Sequence, residues 1–249
     1  MQNLNSSYTE APLVAVSDAF IKDIVFVFNC LIIPFVCVIG IVGNSLTIII
    51  LVYNGIKDTT NVILTALAVA DLLFSITQLW CQLIDIVRRI DIIVFCYVNS
   101  FFVSYFFGWN QYAVCMSVQM AAVIAVERMI AVVFPFAASR LLTTFRIKCI
   151  VVGVYIFSGL MYVPRSFMFT VVWVFNKTFN KTIPELQYGD FLKYRLYEYN
   201  MYNTGIIATF AVIIPTGAIL ISTFSIIVKL TASHRSIKHM SAQSKRIKN

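Results

Sequence analysis

The sequence predicts an all-α fold, a multi-span transmembrane helix bundle, and three observations carry that prediction. Only 12% of the 249 residues are charged, about half the ~25% of a typical soluble domain. Hydrophobic residues make up 60% of the chain and the mean hydropathy is +0.86, so water is the wrong solvent for most of its surface. The apolar residues also gather into five long runs, each near or above the ~20 residues that a helix needs to cross the hydrocarbon core. A β-barrel would show short alternating strands instead.

Residues 1–23 read as an extracellular amino-terminal segment. They hold Glu10 and Asp18 and lack both a basic start and a long apolar core, so they are not a cleavable signal peptide, and the first span serves as its own insertion signal. The bundle occupies 24–231. Span one, about 24–53, is uncharged; span two, about 61–83, contains a single charge, Asp71. Span three, about 95–127, lies in a stretch with no Asp, Glu, Lys or Arg between Asp91 and Glu127. Span four, about 149–174, is interrupted by Arg165, and span five, about 199–228, is uncharged. Residues 232–249 form a basic cytoplasmic tail. Pro34, Pro164 and Pro215 fall inside apolar runs, where neighbouring helices satisfy the freed carbonyls, so they predict kinks rather than breaks.

Two loop signals set the orientation. Asn-x-Ser/Thr triplets begin at Asn5, Asn176 and Asn180. With five spans all three fall on one side, which reads as extracellular and makes them glycosylation candidates. Of the 19 Lys and Arg, 11 lie on the opposite side and 8 on the outer side, where eight acids accompany them. The bias toward basic inner loops counts bases alone, and the terminal SHRSIKHMSAQSKRIKN supplies much of it. The net charge of +8 therefore reads as anchoring beside anionic membrane lipid rather than as nucleic-acid binding.

Polar groups left inside the runs are the candidates for function. Asp71, in NVILTALAVADLLF, costs about 2.5–3.5 kcal/mol to insert, so it faces the bundle, either as a neutral acid bonded to a neighbouring helix or as a cation or proton site. Asn44, in GIVGNSL, can bridge carbonyls of adjoining helices, and Gly40 and Gly43 allow close approach. Glu127 and Arg128 stand side by side at the end of the longest uncharged stretch, either as charges reaching the interface or as a desolvated, switchable pair.

Taken in order, Gly43-Asn44 in span one, Leu67-Ala68-Val69-Ala70-Asp71 in span two, Glu127-Arg128-Met129 with Val132 and Pro135 closing span three, and Pro215 in span five resemble the motifs of the rhodopsin-like (class A) G-protein-coupled receptors. The resemblance implies a multi-pass plasma-membrane receptor of seven spans, with an extracellular small-molecule or peptide ligand and a heterotrimeric G protein as partners. Activation would free Arg128 from Glu127, and Val132 and Pro135 would shape the second inner loop. Ser117, eleven residues before Arg128, would join Asp71 and Asn44 in a sodium site, the one metal or cofactor implied. Asn110, Gln111 and Val114 would line a ligand pocket with Ile207 and Ala211 of span five. Asn110 stands where amine receptors carry an aspartate and cannot pair an ammonium, and Ile207, Ala208 and Ala211 replace the serines of catechol-binding members.

The departures matter equally. Val103 occupies the position of the family's usual outer cysteine, and the following outer loop, about 176–198, has no cysteine, so the usual disulfide cannot form. Whether Cys81 and Cys96 pair is open; Cys30, Cys37, Cys115 and Cys149 read as embedded free thiols. The span-four tryptophan is missing, with Val154 and Tyr155 nearby, Thr223 replaces a tyrosine in span five, and Met129 replaces the one after the arginine. These losses resemble divergent invertebrate chemosensory receptors or distant peptide receptors. The tyrosines at 188, 194, 197, 199 and 202 offer ligand contacts or interfacial anchors.

A transporter or channel using Asp71, with Arg165 on its path, is the alternative from another class; no repeated half or broken-helix pair supports it. An enzyme is not expected: His234 and His239 lie in the basic tail, and no metal spacing or nucleophile–base motif occurs. The chain stops at Asn249, which the resemblance places in the third inner loop. The expectation is a fragment, truncated after the fifth helix, that does not signal alone.

Overall fold

A computed structural model describes residues 18–248; Asn5 and most of the amino-terminal segment lie outside that range. Span one begins as α1 (Asp18–Val27), passes through a π-helical turn (Phe28–Ile32) and continues as α2 (Ile33–Tyr53). Pro34 sits in the first turn of α2, and the widened turn before it absorbs the kink a proline imposes. Gly55, at φ 83°, takes the left-handed conformation that turns the chain after α2.

Span two is α3 (Thr59–Ile90) and span three is α4 (Ile92–Val133). Both overrun the expected limits. Asp85, Arg88, Arg89 and Asp91 suggest a loop, yet the helices project past the hydrocarbon and turn at Asp91 alone. Its carboxylate accepts the backbone N–H of Ile93 at 2.8 Å and of Val94 at 3.2 Å, satisfying donors that the helix start leaves orphaned. The 42 residues of α4 span about 63 Å at 1.5 Å per residue, roughly twice the hydrocarbon thickness. This length lets α4 serve as the central post, packed against α3, α6, α9 and an outer hairpin.

After α4 comes a short inner helix, α5 (Pro135–Leu141), with Pro135 in its first turn. Span four is α6 (Thr144–Tyr162) closed by a 3-10 turn, Val163–Phe167, that contains Pro164. The expected span of 149–174 is corrected at its outer end. Phe169–Asn176 is strand β1, paired antiparallel with β2 (Lys181–Tyr188) from Phe169↔Tyr188 to Asn176↔Lys181. Val171, Val172 and Val174 extend the apolar run but are β-branched and suit a pleated ribbon. Asn176 accepts the N–H of Thr178 at 2.9 Å at the hairpin turn, and Asn180 takes φ 48°.

Two short helices, α7 (Asp190–Tyr194) and α8 (Leu196–Met201), lead through π turns at Tyr202–Ile207 and Thr209–Ile213 into α9 (Ile214–Lys248). Pro215 lies just beyond the π turn Thr209–Ile213, as Pro34 lies just beyond Phe28–Ile32. Residues 232–248, expected as a separate tail, continue α9.

Among the described residues five helices are long and apolar enough to cross a membrane: Asp23–Tyr53, Thr59–Ile90, Gly108–Val133, Thr144–Arg165 and Leu196–Arg235. Phe35, Ile49, Leu160, Ile221 and Phe224 are each more than 60% exposed, a surface that lipid rather than water would cover. Inside, Val62, Ile63, Ala66, Met120, Ile147 and Val151 join spans two, three and four. Toward the outer side Cys115, Tyr162, Ile207 and Ala211 join three, four and five. Gly40 lets α2 approach α3 closely, since a Cβ there would meet Ser75 Oγ at 2.6 Å; Gly43 has nothing within 4 Å of that position and does not serve the close approach expected of it.

Candidate functional site

The expected residues lie at three levels along α4. At the inner end Glu127 is enclosed, its side chain 7% exposed, and its Oε2 lies 3.3 Å from Nε of Arg128, whose side chain is 53% exposed. Thr60, in the first turn of α3, donates to Glu127 Oε1 at 3.1 Å. The carboxylate is thus held from two sides, by the next residue on its helix and by a hydroxyl on another span. Beside it, Val126, Ile130, Leu142 and Ile147 help line a cavity of about 220 Å³. Val132 is half-buried and Pro135, exposed, opens α5. Thr144 Oγ1 donates to the Lys57 carbonyl at 3.1 Å and Arg146 to the Arg140 carbonyl at 2.8 Å, so both inner loops are tied to the platform around the pair.

At mid-depth Ser117 on α4 donates to Asp71 Oδ1 on α3, while Ser75 donates to the Asp71 backbone carbonyl at 2.7 Å. Asn44 is half-buried on α2 and makes no hydrogen bond to this pair among the described residues. Tyr155 stands near the missing span-four tryptophan, and its hydroxyl donates to the Ala66 carbonyl at 2.6 Å. Tyr112 in turn donates to the Tyr155 carbonyl at 3.1 Å. Phenol groups therefore stitch spans two, three and four together. Gln119 joins them, donating to Cys115 at 3.1 Å and accepting from the wholly buried Ser158 at 3.2 Å.

In the outer half Asn110 is 5% exposed, and its amide donates to Thr77 Oγ1 at 3.1 Å and Gln78 Oε1 at 3.2 Å. Its two donors are committed to span two, which narrows its expected role in a pocket. Gln111 and Val114 are half-buried on α4, and Ile207 and Ala211 pack with Cys115 and Tyr162. All six cysteines are free, Cys81 and Cys96 among them. Cys149, expected to be embedded, is exposed on α6.

The outer hairpin is held without a disulfide. Tyr97, Ser100 and Ser104 lie at helical spacing along α4, which puts them on one face. They donate to the carbonyls of Thr182 at 3.4 Å, Pro184 at 3.1 Å and Phe169 at 3.2 Å. Thr182 and Pro184 are two apart on β2, so their carbonyls point the same way, toward α4 and away from β1. Pro184 suits that position because a proline has no N–H to give a ladder. The Tyr97 ring also meets Trp173 edge-on at 5.8 Å. Val103, where the usual cysteine would stand, lies between the two serines that replace its tether. The turn carrying Asn176 and Asn180 is at the far end of this hairpin.

Sequence reasoning missed Thr60, the 97–100–104 row, and a bond from Arg165 to Asn203. The row was detectable as small or phenolic hydroxyls recurring at helical period on an otherwise apolar stretch. Thr60 gave no local signal, since its partner is 67 residues away. The tyrosines 199 and 202, grouped among outer-loop aromatics, face inward: Tyr199 is buried with Met168 and Leu192, and Tyr202 bonds the Met161 carbonyl.

A family model described as 7 transmembrane receptor (rhodopsin family) matches residues 43–249. In a comparison with curated proteins, none matches the chain. The family match begins at Gly43, runs through Asp71, Ser117 and the Glu127–Arg128 pair, and covers more than half of the chain. This multi-pass plasma-membrane protein belongs to the rhodopsin family of seven-transmembrane receptors.

Proposed function

We propose that the chain carries an extracellular signal to a heterotrimeric G protein, with the Glu127–Arg128 pair as its inner switch. The observation that carries this reading is the clamp on Glu127: an enclosed carboxylate held by Arg128 on one side and Thr60 on the other. Such a pair is marginal in net energy because desolvation offsets attraction, so a modest bias toward another conformation releases it. Arg128 is already half in solvent; released, its guanidinium can take acceptors on the G protein. Val132 and α5, opened by Pro135, form the flank of that surface. Asn110, Gln111, Val114, Ile207 and Ala211 belong to the outer region from which a small molecule or peptide would act.

Asp71 and Ser117 suit a sodium ion, because carboxylate and hydroxyl oxygens are the donors a hard cation takes. A bound ion would supply positive charge that favours the arrangement in which the half-buried Asp71 and Ser117 stay together. Asn44 would have to turn toward them to contribute. Asn176 and Asn180, on an outer turn, and Asn5, outside the described residues, are the glycosylation sites. Transport through Asp71 is not favoured by membership of this family.

The test is basal nucleotide exchange on purified G proteins, using the protein in lipid nanodiscs. Wild type, Glu127→Gln and Arg128→Ala are compared. The reading expects Glu127→Gln to exceed wild type and Arg128→Ala to fall to the protein-free rate. Three indistinguishable rates, across a panel of G proteins, would reject it.

A further inference from the structure

Arg165 is the one base inside the apolar run of span four, and the fold does not send it to solvent. It lies in the 3-10 turn that closes the span and is half-buried. One Nη donates to the side-chain oxygen of Asn203 on span five at 2.5 Å, and its Cζ is 5.4 Å from the centre of the Tyr162 ring. Its Nε is enclosed and has no acceptor. The ion pairs among the described residues are Arg128–Glu127 and Lys193–Asp190, so no carboxylate there neutralises this guanidinium.

An arginine that only marked the end of a span would extend its head toward the lipid headgroups. This one turns across to span five. A partly desolvated cation whose hydrogen-bond partner is a neutral amide lacks the counter-charge that makes burial favourable, and the planar fork of a guanidinium matches a two-oxygen anion. Apolar surface adjoins it: Tyr162 belongs to the cluster with Cys115, Ile207 and Ala211, with Tyr202 packed against them. We propose that Arg165 anchors an oxyanion site at the outer junction of spans four and five. Its ligand class is a molecule with a carboxylate or phosphate group joined to an apolar body. The role as a receptor ligand rests on the function proposed above; the binding itself does not.

The full chain is placed in phosphatidylcholine nanodiscs, and thermal unfolding is followed by tryptophan fluorescence. The probes are 4-phenylbutyrate and its uncharged amide, with parallel discs containing phosphatidylglycerol. The acid is expected to raise Tm saturably and the amide not. Arg165→Gln should weaken the acid by roughly tenfold or more, as expected for a lost charge-assisted pair, and Arg165→Lys should retain part of the effect. Asn203→Asp gives the guanidinium an internal carboxylate, so it should raise Tm without any probe and abolish the response. A purely structural role for Arg165 predicts the first of those effects but not the second. Stabilisation by phosphatidylglycerol alone, with the same dependence on Arg165 and Asn203, assigns the oxyanion to a lipid headgroup.

The proposal is overturned if neither anion stabilises the protein in an Arg165-dependent way, or if Asn203→Asp leaves the response intact. Nucleotide exchange is measured separately on the same samples. Anion binding without exchange removes the receptor reading and keeps the site; exchange without anion binding does the reverse.

Discussion

Replacing Ser100 by alanine should loosen the outer hairpin while leaving the rest of the bundle in place. Ser100 is 3% exposed and Pro184 is fully buried, so loss of the 3.1 Å bond strands the Pro184 carbonyl without a partner or water. An unsatisfied buried acceptor costs about 1–3 kcal/mol. Taking ~1.5 kcal/mol, the constant for local opening rises about tenfold, because 1.4 kcal/mol is one decade. Ser104→Ala removes a part-buried bond at 3.2 Å, where water can reach the freed carbonyl, so ~0.5–1 kcal/mol and a two- to fivefold change follow. Tyr97→Phe removes a 3.4 Å bond on an exposed side chain and keeps the ring against Trp173, so it should change opening less than about twofold. Hydrogen exchange of the peptide 181–188, measured by mass spectrometry under conditions where opening is a pre-equilibrium, reads these ratios directly. Reducing agent should leave the protection untouched, since every cysteine is a free thiol. A Ser100→Ala protein whose hairpin exchanges within twofold of wild type, or a rank order with Tyr97 first, would show that the row does not hold the loop.

Three further changes test the inner, middle and packing levels. Thr60→Val removes a hydrogen bond to an enclosed carboxylate, worth about 1.5–3 kcal/mol, whereas the half-exposed Arg128 contact is worth about 0.2–1 kcal/mol; it should therefore raise basal nucleotide exchange several-fold, and no rise would remove Thr60 from the switch. Sodium chloride should raise Tm more than choline chloride at equal ionic strength, by about 1.4 kcal/mol of stability near tenfold the dissociation constant; Asp71→Asn and Ser117→Ala should both erase that difference, and its survival in Asp71→Asn would exclude the site. Gly40→Ala drives a Cβ to 2.6 Å from Ser75 Oγ and should cost about 1–3 kcal/mol, relieved by adding Ser75→Ala. Gly43→Ala meets nothing within 4 Å and should be neutral or gain up to about 1 kcal/mol; equal melting shifts for the two glycines would refute this account of how α2 packs on α3.

What could be read in advance follows from the physics of each feature. Hydropathy reports solvent, so five spans and their order were legible. It does not report backbone conformation. The run beyond Arg165 is as apolar as a helix yet folds as β1, because Thr170, Val171, Val172 and Val174 favour the pleat and the partner strand at 181–188 offers a ladder. The outer ends of α3 and α4 failed in the opposite sense: charges that mark a membrane edge do not end a helix, and only the cap at Asp91 does.

At the site, the same contrast separates residues from their partners. Asp71 and Glu127 were visible because a carboxylate in an apolar run must be compensated, but the compensation itself was only partly visible. Ser117 could be found only through the family resemblance, which implies a serine at its offset from Arg128. Thr60 and Asn203 could not, because each meets its partner across helices, and a hydroxyl or amide near a span end is unremarkable in composition. The missing disulfide shows how far this goes. A covalent tether announces itself through two cysteines, whereas the bonds from Tyr97, Ser100 and Ser104 use common side chains against backbone carbonyls that carry no sequence identity. Loss of a family cysteine therefore says that one tether is gone and not that the loop is loose; the hairpin register decides that, and it places the Thr182 and Pro184 carbonyls within reach of α4.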